Sequence, residues 1–550
     1  MRRLALAAAA LAVLLGAGRA EAARFAVGLE PGASADAIAA RLAEITGGAV
    51  SRELEPMRAL TVEAPSARAA LALPGVAYVE RIDARRRLAF TPTDPLAARQ
   101  WYLEQTRAFD TWAELPPLAP VRVAIVDSGI DAGHPEFEGR IADGRSFVPG
   151  DWGVDQQGHG TFVAGLIAAN VNNAQGIAGM AFTAELLIAK VVRGDRSISL
   201  EAEAKAIRWA IENGAQVINL SLGGLRDPHN PRRDTFSPLE AAAISYAYRN
   251  GAVLVAAVGN ADQAPSRPWP FASYPAALPH VIGVSALARD GSVPSFSDRD
   301  LIYNDVAAPG QDILSTFPRQ LTEREPACKN QGYSDCDPDG EYRRAEGTSF
   351  AAPQVAAAAA LLLAVDPDLG PEQVANLITR AALDVHPGTG CKQCPLERDA
   401  LSGWGRLDVA AAIAQALKAP PARDRLETND DAGAHAPRIY GTKGQTVRAT
   451  VDFWDDQTDV YRVLLHGRQR VSATLRGPEG AKLFLWTPGT SRVEGLSVRL
   501  QRRRVAQSVS RGAVQQFSYR APARRGGWYY LQVKIGQPGA GPYTLSYAKR

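Results

Sequence analysis

An almost pure run of alanine and leucine, residues 356–364, constrains the fold of this chain more than any other stretch. Both are strong helix formers, and nothing polar interrupts them for two turns, so the run predicts a buried helix. Proline is tolerated only within a first turn, so Pro353 places the predicted helix start close to Ser349. A serine there lies beside the positive end of the helix dipole and unpaired backbone N–H groups. Taken alone, such a serine is more often a helix cap than a reactive group.

The length and charge of the chain limit its organisation. Its 550 residues are too many for one ordinary domain, and an apolar fraction of 46% is ample for sizeable cores. Residues 425–550 contain 21 Lys and Arg against 9 Asp and Glu, whereas the rest contains 40 against 49. A basic segment on an acidic body could attract polyanions or a membrane surface. Because it contains no nucleic-acid motif, we expect a solvated surface and no nucleic-acid partner.

The first 22 residues have the pattern of an export signal. Positive charge at Arg2 and Arg3 precedes an apolar run and an Ala-x-Ala pattern at residues 20–22. The apolar run is too short to span a bilayer, and no later segment approaches the roughly 20 apolar residues required. The sequence therefore predicts a secreted protein, extracellular or periplasmic, with no transmembrane segment.

The four cysteines are compatible with disulfides in an exported protein. Cys391 and Cys394 have C-x-x-C spacing, and the absence of a thioredoxin-like context favours a bridge over a redox or zinc site. Cys328 and Cys336 could close a short loop. The pairing itself cannot be deduced from the sequence.

Local patterns divide the remaining chain into three regions. Residues 23–92 alternate strand and helix patterns and predict a small α+β unit ending in an Arg- and Pro-containing segment, residues 85–95, either a cleavable linker or part of a permanent domain. The predicted strands there are 25–29, 59–63 and 76–82, with helices at 35–46 and 64–73. Residues 426–550 show short alternating runs between turns and predict an antiparallel β-sandwich.

Residues 93–420 alternate short apolar strand-like runs with helical ones. Largely apolar strands suit the centre of a parallel sheet that helices cover on both faces. We therefore predict an α/β domain with a doubly wound parallel sheet, whose functional residues gather at the carboxyl ends of strands. The predicted strands are residues 121–126, 186–192, 217–220, 253–258 and 281–284.

Four chemically competent residues fall at strand ends or helix starts of this domain. Asp127 and Asn260 follow apolar strands, whereas His159 and Ser349 begin apolar helices. Each alone has an ordinary explanation as a turn residue, a structural histidine or a cap. Together they supply a hydroxyl, a base, a carboxylate to orient the base and a donor for an oxyanion. The combination predicts hydrolysis by an activated serine.

The sequences around these residues resemble the subtilisin-like serine proteases, in which the order is also Asp, His, Ser. The resemblance covers about residues 94–417. It implies a serine endopeptidase that needs no catalytic cofactor, cleaves proteins or peptides and works as a monomer. The matching motifs are D-S-G-I-D at 127–131, G-H-G-T-F-V-A-G at 158–165, I-N-L-S-L-G-G at 218–224, D-V-A-A-P-G at 305–310 and G-T-S-F-A-A-P at 347–353.

The resemblance also implies roles for individual residues. Ser349 would attack the scissile carbonyl, His159 would carry the proton, and Asp127 would orient the imidazole. The Asn260 amide and the Ser349 backbone N–H would bind the oxyanion. The family's substrate positions correspond to Ser221, Leu222 and Gly223 at an edge segment and to Ala257, Gly259 and Ser273 around the side-chain pocket. Because no charge lies among the latter three, we expect broad specificity with a large apolar residue before the cut.

One loop resembles the calcium loop of the family. Asn173 lies within it, and Asp94 and Glu136 fall where further ligands would be. Oxygen ligands suit calcium, but Glu136 stands where aspartate is usual. A structural calcium and a metal-free loop both stay open.

The flanking regions resemble accessory domains of these proteases. Residues 23–87 resemble the inhibitory propeptide, whose tail would lie in the cleft until self-cleavage between about residues 85 and 93. Residues 426–548 resemble, less specifically, the prepeptidase C-terminal domain of secreted bacterial proteases. Two other functions stay open, an inactive protease used as a binding module and an adhesin led by the β-sandwich. The complete catalytic set disfavours the first.

Overall fold

The computed structural model describes most of the chain, which forms two compact units, residues 1–87 and 88–550. The predicted export signal, Cys328 and most of the predicted cleavage segment lie outside the described residues. The described residues are 23–64, 67–82, 90–262, 264–324, 335–336, 340–418, 420–421, 426–427, 429–433, 436–441, 443–454, 456–493, 502–510 and 512–550.

Residues 23–64 and 67–82, the described part of the first unit, form a four-stranded antiparallel sheet with one α-helix. Its elements are β1 (Ala23–Leu29), α1 (Ala35–Thr46), β2 (Val50–Ser51), β3 (Ala59–Ala64) and β4 (Val76–Arg81), with 3-10 helices at Glu55–Met57 and Arg68–Ala72. The sheet order is β2-β3-β1-β4. Ser34 caps α1 by accepting a hydrogen bond from the Ala37 N–H. The predicted α+β unit is confirmed, but its second helix is only the short 3-10 helix.

The second unit is built on a seven-stranded sheet in which every neighbouring pair is parallel. Its strands are β5 (Val121–Asp127), β6 (Ile141–Ser146), β7 (Ala184–Lys190), β8 (Val217–Leu220), β9 (Val253–Ala257), β10 (Val281–Leu287) and β11 (Val306–Pro309). Across the sheet they run β11-β10-β9-β8-β5-β7-β6. The predicted α/β class is confirmed and all five predicted strands form. The edge strands β6 and β11 were missed, and β6 is half-exposed and polar in pattern.

Helices cover both faces of this sheet, and a small antiparallel sheet lies beside them. The helices are α2 (Trp101–Gln105), α3 (His159–Ala168), α4 (Leu200–Glu212), α5 (Pro238–Arg249), α6 (Arg319–Arg324), α7 (Thr348–Val365), α8 (Pro371–Arg380) and α9 (Val409–Lys418). One core contains α3 and α7, and a second, on the opposite face, contains residues of α4 and α5. The small sheet contains β12 (Ile313–Thr316), β13 (Asp335–Cys336) and β14 (Tyr342–Ala345).

Helix α7 is the central helix of the larger core. Its alanine and leucine side chains are buried on all sides, which confirms the predicted buried helix. Its mean hydropathy of 1.7 over 18 residues would suit a membrane span, but 89% of the stretch is buried inside the protein. Pro353 was predicted in the first turn but is the sixth residue of α7. Its position therefore leaves one helical carbonyl without its usual N–H partner.

The C-terminal region is an antiparallel β-sandwich, as predicted. Its strands are β15 (Gly444–Asp452), β16 (Thr458–Leu465), β17 (Arg470–Arg476), β18 (Ala481–Trp486), β19 (Arg504–Ser508), β20 (Val514–Arg520), β21 (Gly527–Ile535) and β22 (Ala540–Lys549). They form two sheets, β15-β22-β17-β20 and β16-β21-β18-β19. Alternating apolar side chains from both sheets fill one core between them.

The sandwich packs against the α/β domain through arginine and tryptophan side chains. Arg380 pairs with Asp452 at 2.6 Å and lies 3.7 Å from the ring centre of Trp404. Arg398 lies 3.8 Å from the ring centre of Trp454. The sandwich and the α/β domain are thus joined by charge pairing, between Arg380 and Asp452, and by cation–π attraction, between Arg398 and Trp454.

The structure joins Cys391 to Cys394 in a disulfide. Both side chains are buried beside Leu287 and Val385. The bridge therefore closes a tight turn at the edge of the α/β domain.

Replacement of Leu362 in α7 by alanine should destabilise the protein strongly. The side chain is fully buried, and comparable deletions in packed cores cost about 2–5 kcal/mol in the free energy of unfolding. The matched control is Leu417→Ala, because Leu417 lies in a helix but is 67% exposed and should change it by less than about 0.5 kcal/mol. Chemical denaturation measures both, and equal effects would contradict the assigned core.

Candidate active site

The site begins where β5 meets α3. Asp127 is the last residue of β5 and is buried, and His159 is the first residue of α3. His159 Nδ1 lies 2.8 Å from Asp127 Oδ1 and 2.9 Å from Oδ2. The Ser128 N–H donates to Asp127 Oδ1 at 2.7 Å. The carboxylate is therefore held in place and accepts the Nδ1 proton, which leaves Nε2 as the reactive nitrogen.

Four effects set the pKa of His159. Burial acts to lower it, but the negative charge of Asp127, the hydrogen bond to Asp127 and the charge of Asp155 together raise the pKa above its ordinary value. A histidine with a raised pKa is a stronger base in its neutral form. The imidazolium that forms when His159 accepts a proton is thus stabilised by the charges of Asp127 and Asp155.

Asp155 holds the loop and helix that carry His159. Sequence analysis missed this residue, which is 4% exposed. Its carboxylate accepts five hydrogen bonds of 2.7–3.0 Å, from Ser128 Oγ, the N–H groups of Gln157 and Gly158, and both the N–H and the hydroxyl of Thr161. These donors include backbone groups at the start of α3, so Asp155 acts as its cap. The sequence signal that could have identified Asp155 is its position shortly before a predicted helix.

Ser349 is fixed by a reciprocal pair of hydrogen bonds with Ser221. Pro353 has no N–H, so the Ser349 carbonyl lacks its helical donor. Ser221 Oγ donates to that carbonyl at 2.8 Å, and Ser349 Oγ donates to the Ser221 carbonyl at 3.2 Å. The ring of Phe350, the next residue, lies 5.4 Å from the His159 ring. The start of α7 therefore lies close to the imidazole, and the Ser349 hydroxyl is bonded to the Ser221 carbonyl.

Asn260 directs its amide nitrogen towards the start of α7. Its Oδ1 accepts hydrogen bonds from the N–H and the hydroxyl of Thr348, at 2.8 and 2.9 Å. This fixes the amide orientation and leaves Nδ2 as a donor near Gly347, within 3.5 Å of the position a Cβ would take there. The Asn260 Nδ2 group therefore lies near the start of α7, and Asn260 and Ser349 line the same cavity.

A cavity of about 150 Å³ lies beside Ser349. Five of the six predicted substrate residues line it: Leu222, Gly223, Ala257, Gly259 and Ser273. Ser221, the sixth, bonds to Ser349 instead. Gly224 pairs with Tyr274 through two backbone hydrogen bonds of 2.9 Å, which holds this segment at the rim. The cavity is also lined by Asp262 and Asp298, which sequence analysis missed because no local pattern connects them with it.

The three calcium candidates lie together in a hydrogen-bonded loop. Asp94 accepts from the N–H groups of Asn172 and Asn173 at 2.9 and 3.1 Å. Glu136 accepts from the Ile177 N–H, the Asn173 amide and the Tyr342 hydroxyl. Burial raises the pKa of Glu136 to about 7. Because Asn173 presents its N–H₂ rather than its oxygen, the donor set fits an internally satisfied loop better than a calcium cage.

A family match covers the region that contains the four candidate catalytic residues. A model of the Subtilase family matches residues 119–441. Thermitase from Thermoactinomyces vulgaris is 34% identical over 276 residues, 50% of this chain and 85% of the relative. Subtilisin DY from Bacillus licheniformis is 35% identical over 268 residues, 48% of this chain and 85% of the relative. The major intracellular serine protease of Bacillus subtilis (strain 168) is 35% identical over 262 residues, 46% and 72% respectively.

The fold, the family match and these relatives define a serine endopeptidase. The chain belongs to the Subtilase family.

Replacement of Asp155 by asparagine should weaken both the fold and the basicity of His159. Loss of its charge-assisted hydrogen bonds should cost at least about 2 kcal/mol in the free energy of unfolding. It should also lower the pH midpoint of activity, because the charge of Asp155 contributes to the raised pKa of His159. Asp151→Asn is the control, since its exposed side chain accepts from the Gly153 N–H in a surface turn. An unchanged midpoint in the Asp155 variant would rule out this electrostatic role.

Proposed function

We propose that the protein is a secreted endopeptidase in which Ser349, His159 and Asp127 form the catalytic triad. The observation that carries the proposal is the double contact of His159 Nδ1 with the Asp127 carboxylate, with Phe350, the residue after Ser349, packed beside the same ring. His159 Nε2 takes the proton of the Ser349 hydroxyl as Oγ bonds to the scissile carbonyl carbon. The imidazolium then gives this proton to the leaving amine. Water, activated by the same nitrogen, hydrolyses the acyl-enzyme.

Two donors are proposed to stabilise the negative oxygen of the tetrahedral intermediate. They are the Asn260 Nδ2 group and the Ser349 backbone N–H, which lies in the first turn of α7. Both are fixed before substrate binds, Asn260 by its bonds to Thr348 and the N–H by the helix. Preorganised donors of this kind lower the barrier because they need no reorientation during the reaction. Residues 221–223 would pair with the substrate backbone as an added strand.

Maturation is proposed to require removal of two N-terminal segments. Residues 1–22 have the charge and apolar pattern of an export signal. Residues 23–92 are proposed to be an inhibitory propeptide, supported by their own sheet, helix and core and by their resemblance to subtilase propeptides. The predicted monomeric state remains a prediction, whereas the donors of the loop around Asn173 do not support the predicted structural calcium ion.

Activity on casein should depend on the Ser349 hydroxyl. Purified protein should hydrolyse casein, a serine-directed covalent inhibitor should abolish this, and Ser349→Ala should lack it while retaining the wild-type far-UV circular dichroism. Ser349→Ala separates an enzyme from a binding module or adhesin, because neither of those functions requires the hydroxyl. Undiminished hydrolysis by a correctly folded Ser349→Ala protein would refute the proposal.

Activity should fall as pH decreases through a midpoint above about 6.5, the ordinary histidine value. The reaction needs neutral His159, and the nearby carboxylates raise its pKa, so protonation stops catalysis at a higher pH than for an exposed histidine. The midpoint is measured from kcat/KM, which reports the free enzyme. Asp127→Asn should move the midpoint of the residual activity down. A wild-type midpoint below 6.5 contradicts the assignment of the base.

The active secreted form should begin after the predicted propeptide. N-terminal sequencing should locate its first residue between about residues 85 and 93, and Ser349→Ala should accumulate with the propeptide still attached. Fully active enzyme that begins at Ala23 would exclude self-processing as the route to activity.

A further inference from the structure

The cavity beside Ser349 has an acidic floor. Asp298 is buried, with 1% of its surface exposed, and lines this cavity behind Gly259. Its backbone N–H donates to the Gly259 carbonyl at 2.9 Å, and Ser273 Oγ donates to its Oδ2 at 3.4 Å. The carboxyl group is therefore held against the glycine that forms the cavity floor.

Gly259 is what leaves this carboxyl group accessible. Its φ of 110° favours glycine. A Cβ built at this position would lie 2.2 Å from Asp298 Oδ2 and 2.5 Å from Ser273 Oγ. Any side chain at position 259 would occupy the space in front of both groups. With glycine there, the end of an entering substrate side chain meets a carboxyl and a hydroxyl group.

No positive charge on the described part of the chain pairs with Asp298. The charged group that acts on it is another carboxylate, Asp262, which is exposed and lines the same cavity. Burial, together with Asp262, raises the pKa of Asp298 to about 8 although Ser273 and the Ala261 N–H act to lower it. A buried carboxyl group is stable as an anion only when hydrogen bonds or a nearby cation replace the lost hydration. The hydrogen bonds of Asp298 do not outweigh its burial, so a positive charge in the cavity would stabilise the anion.

We infer that Asp298 determines the specificity of this cavity and that the enzyme favours Lys or Arg immediately before the cleaved bond. This inference rests on the proposed function, because it needs Ser349 to be the nucleophile beside the cavity. The cationic end of the substrate side chain pairs with Asp298 and contacts Ser273 Oγ, while its aliphatic stem lies along Leu222 and Ala257. Where Asp298 is protonated, pairing releases that proton to solvent, and no other bond changes. The large apolar preference expected from the sequence is replaced.

The test compares peptide nitroanilides that differ only in the residue before the cleaved bond. Lysine is paired with norleucine, which has the same carbon chain without the ammonium group. Wild-type enzyme should show kcat/KM about 10- to 100-fold higher for lysine, the range expected for a charge-assisted hydrogen bond. The ratio should increase from pH 6 to pH 9, because Asp298 loses its proton over this range while lysine stays charged. A ratio of one or less throughout overturns the inference.

Variants then assign the preference to Asp298. In Asp298→Asn the lysine-to-norleucine ratio should fall to about one and lose its pH dependence, whereas Asp143→Asn, on the exposed strand β6, should keep both. Partial misfolding of a variant does not affect the test, because the lysine-to-norleucine ratio of kcat/KM within one preparation is independent of the fraction folded. The wild-type pH series requires no variant. An unchanged ratio in Asp298→Asn overturns the inference.

Active-site titration with a serine-directed inhibitor separates the two proposals. If the enzyme is titrated and cleaves casein but prefers norleucine, the specificity inference fails and the proposed function stands. If it is not titrated and cleaves no substrate, the proposed function itself has failed.

Discussion

The hydrogen bond between Asp127 and His159 depends on a carboxylate buried at the end of a central parallel strand. Such a group is costly to bury unless it is hydrogen-bonded and faces a partner that carries positive charge. The Ser128 N–H and the imidazole supply these conditions. Strands β9, β8 and β5 are neighbours in the sheet. Their carboxyl ends therefore bring Asn260, Ser221 and Asp127 to one edge, where the starts of α3 and α7 meet them.

Ser349, the proposed nucleophile, is positioned by an irregularity in helix α7. Pro353 removes the N–H that would bond the Ser349 carbonyl, and Ser221 Oγ donates to it instead. An unsatisfied buried carbonyl would be costly, so this contact stabilises the junction of α7 with the segment after β8. The same segment borders the substrate cavity. Because the helical donor to the Ser349 carbonyl is missing, Ser349 is bonded to the segment that borders the proposed substrate cavity.

Much of this arrangement was predictable from the sequence, since apolar strands, helix starts and family motifs are local patterns. The five central strands, helix α7 and the choice of four candidate catalytic residues required no knowledge of packing. Contacts between distant segments were not predictable. Asp155 acts through donors on both sides of the histidine loop, and Asp298 reaches the cavity only because Gly259 lies in front of it. The polar edge strand β6 and the position of Pro353 in the second turn of α7 also depend on contacts with distant segments.

The most direct measurement is to locate the covalent adduct formed by a fluorophosphonate, using peptide mass spectrometry. The account predicts one adduct per chain, on Ser349, formed rapidly in the mature enzyme and lost in a folded His159→Ala variant, because His159 activates the hydroxyl. An adduct on another residue, or an enzyme that still cleaves protein with Ser349 unmodified after complete inhibitor reaction, would contradict it.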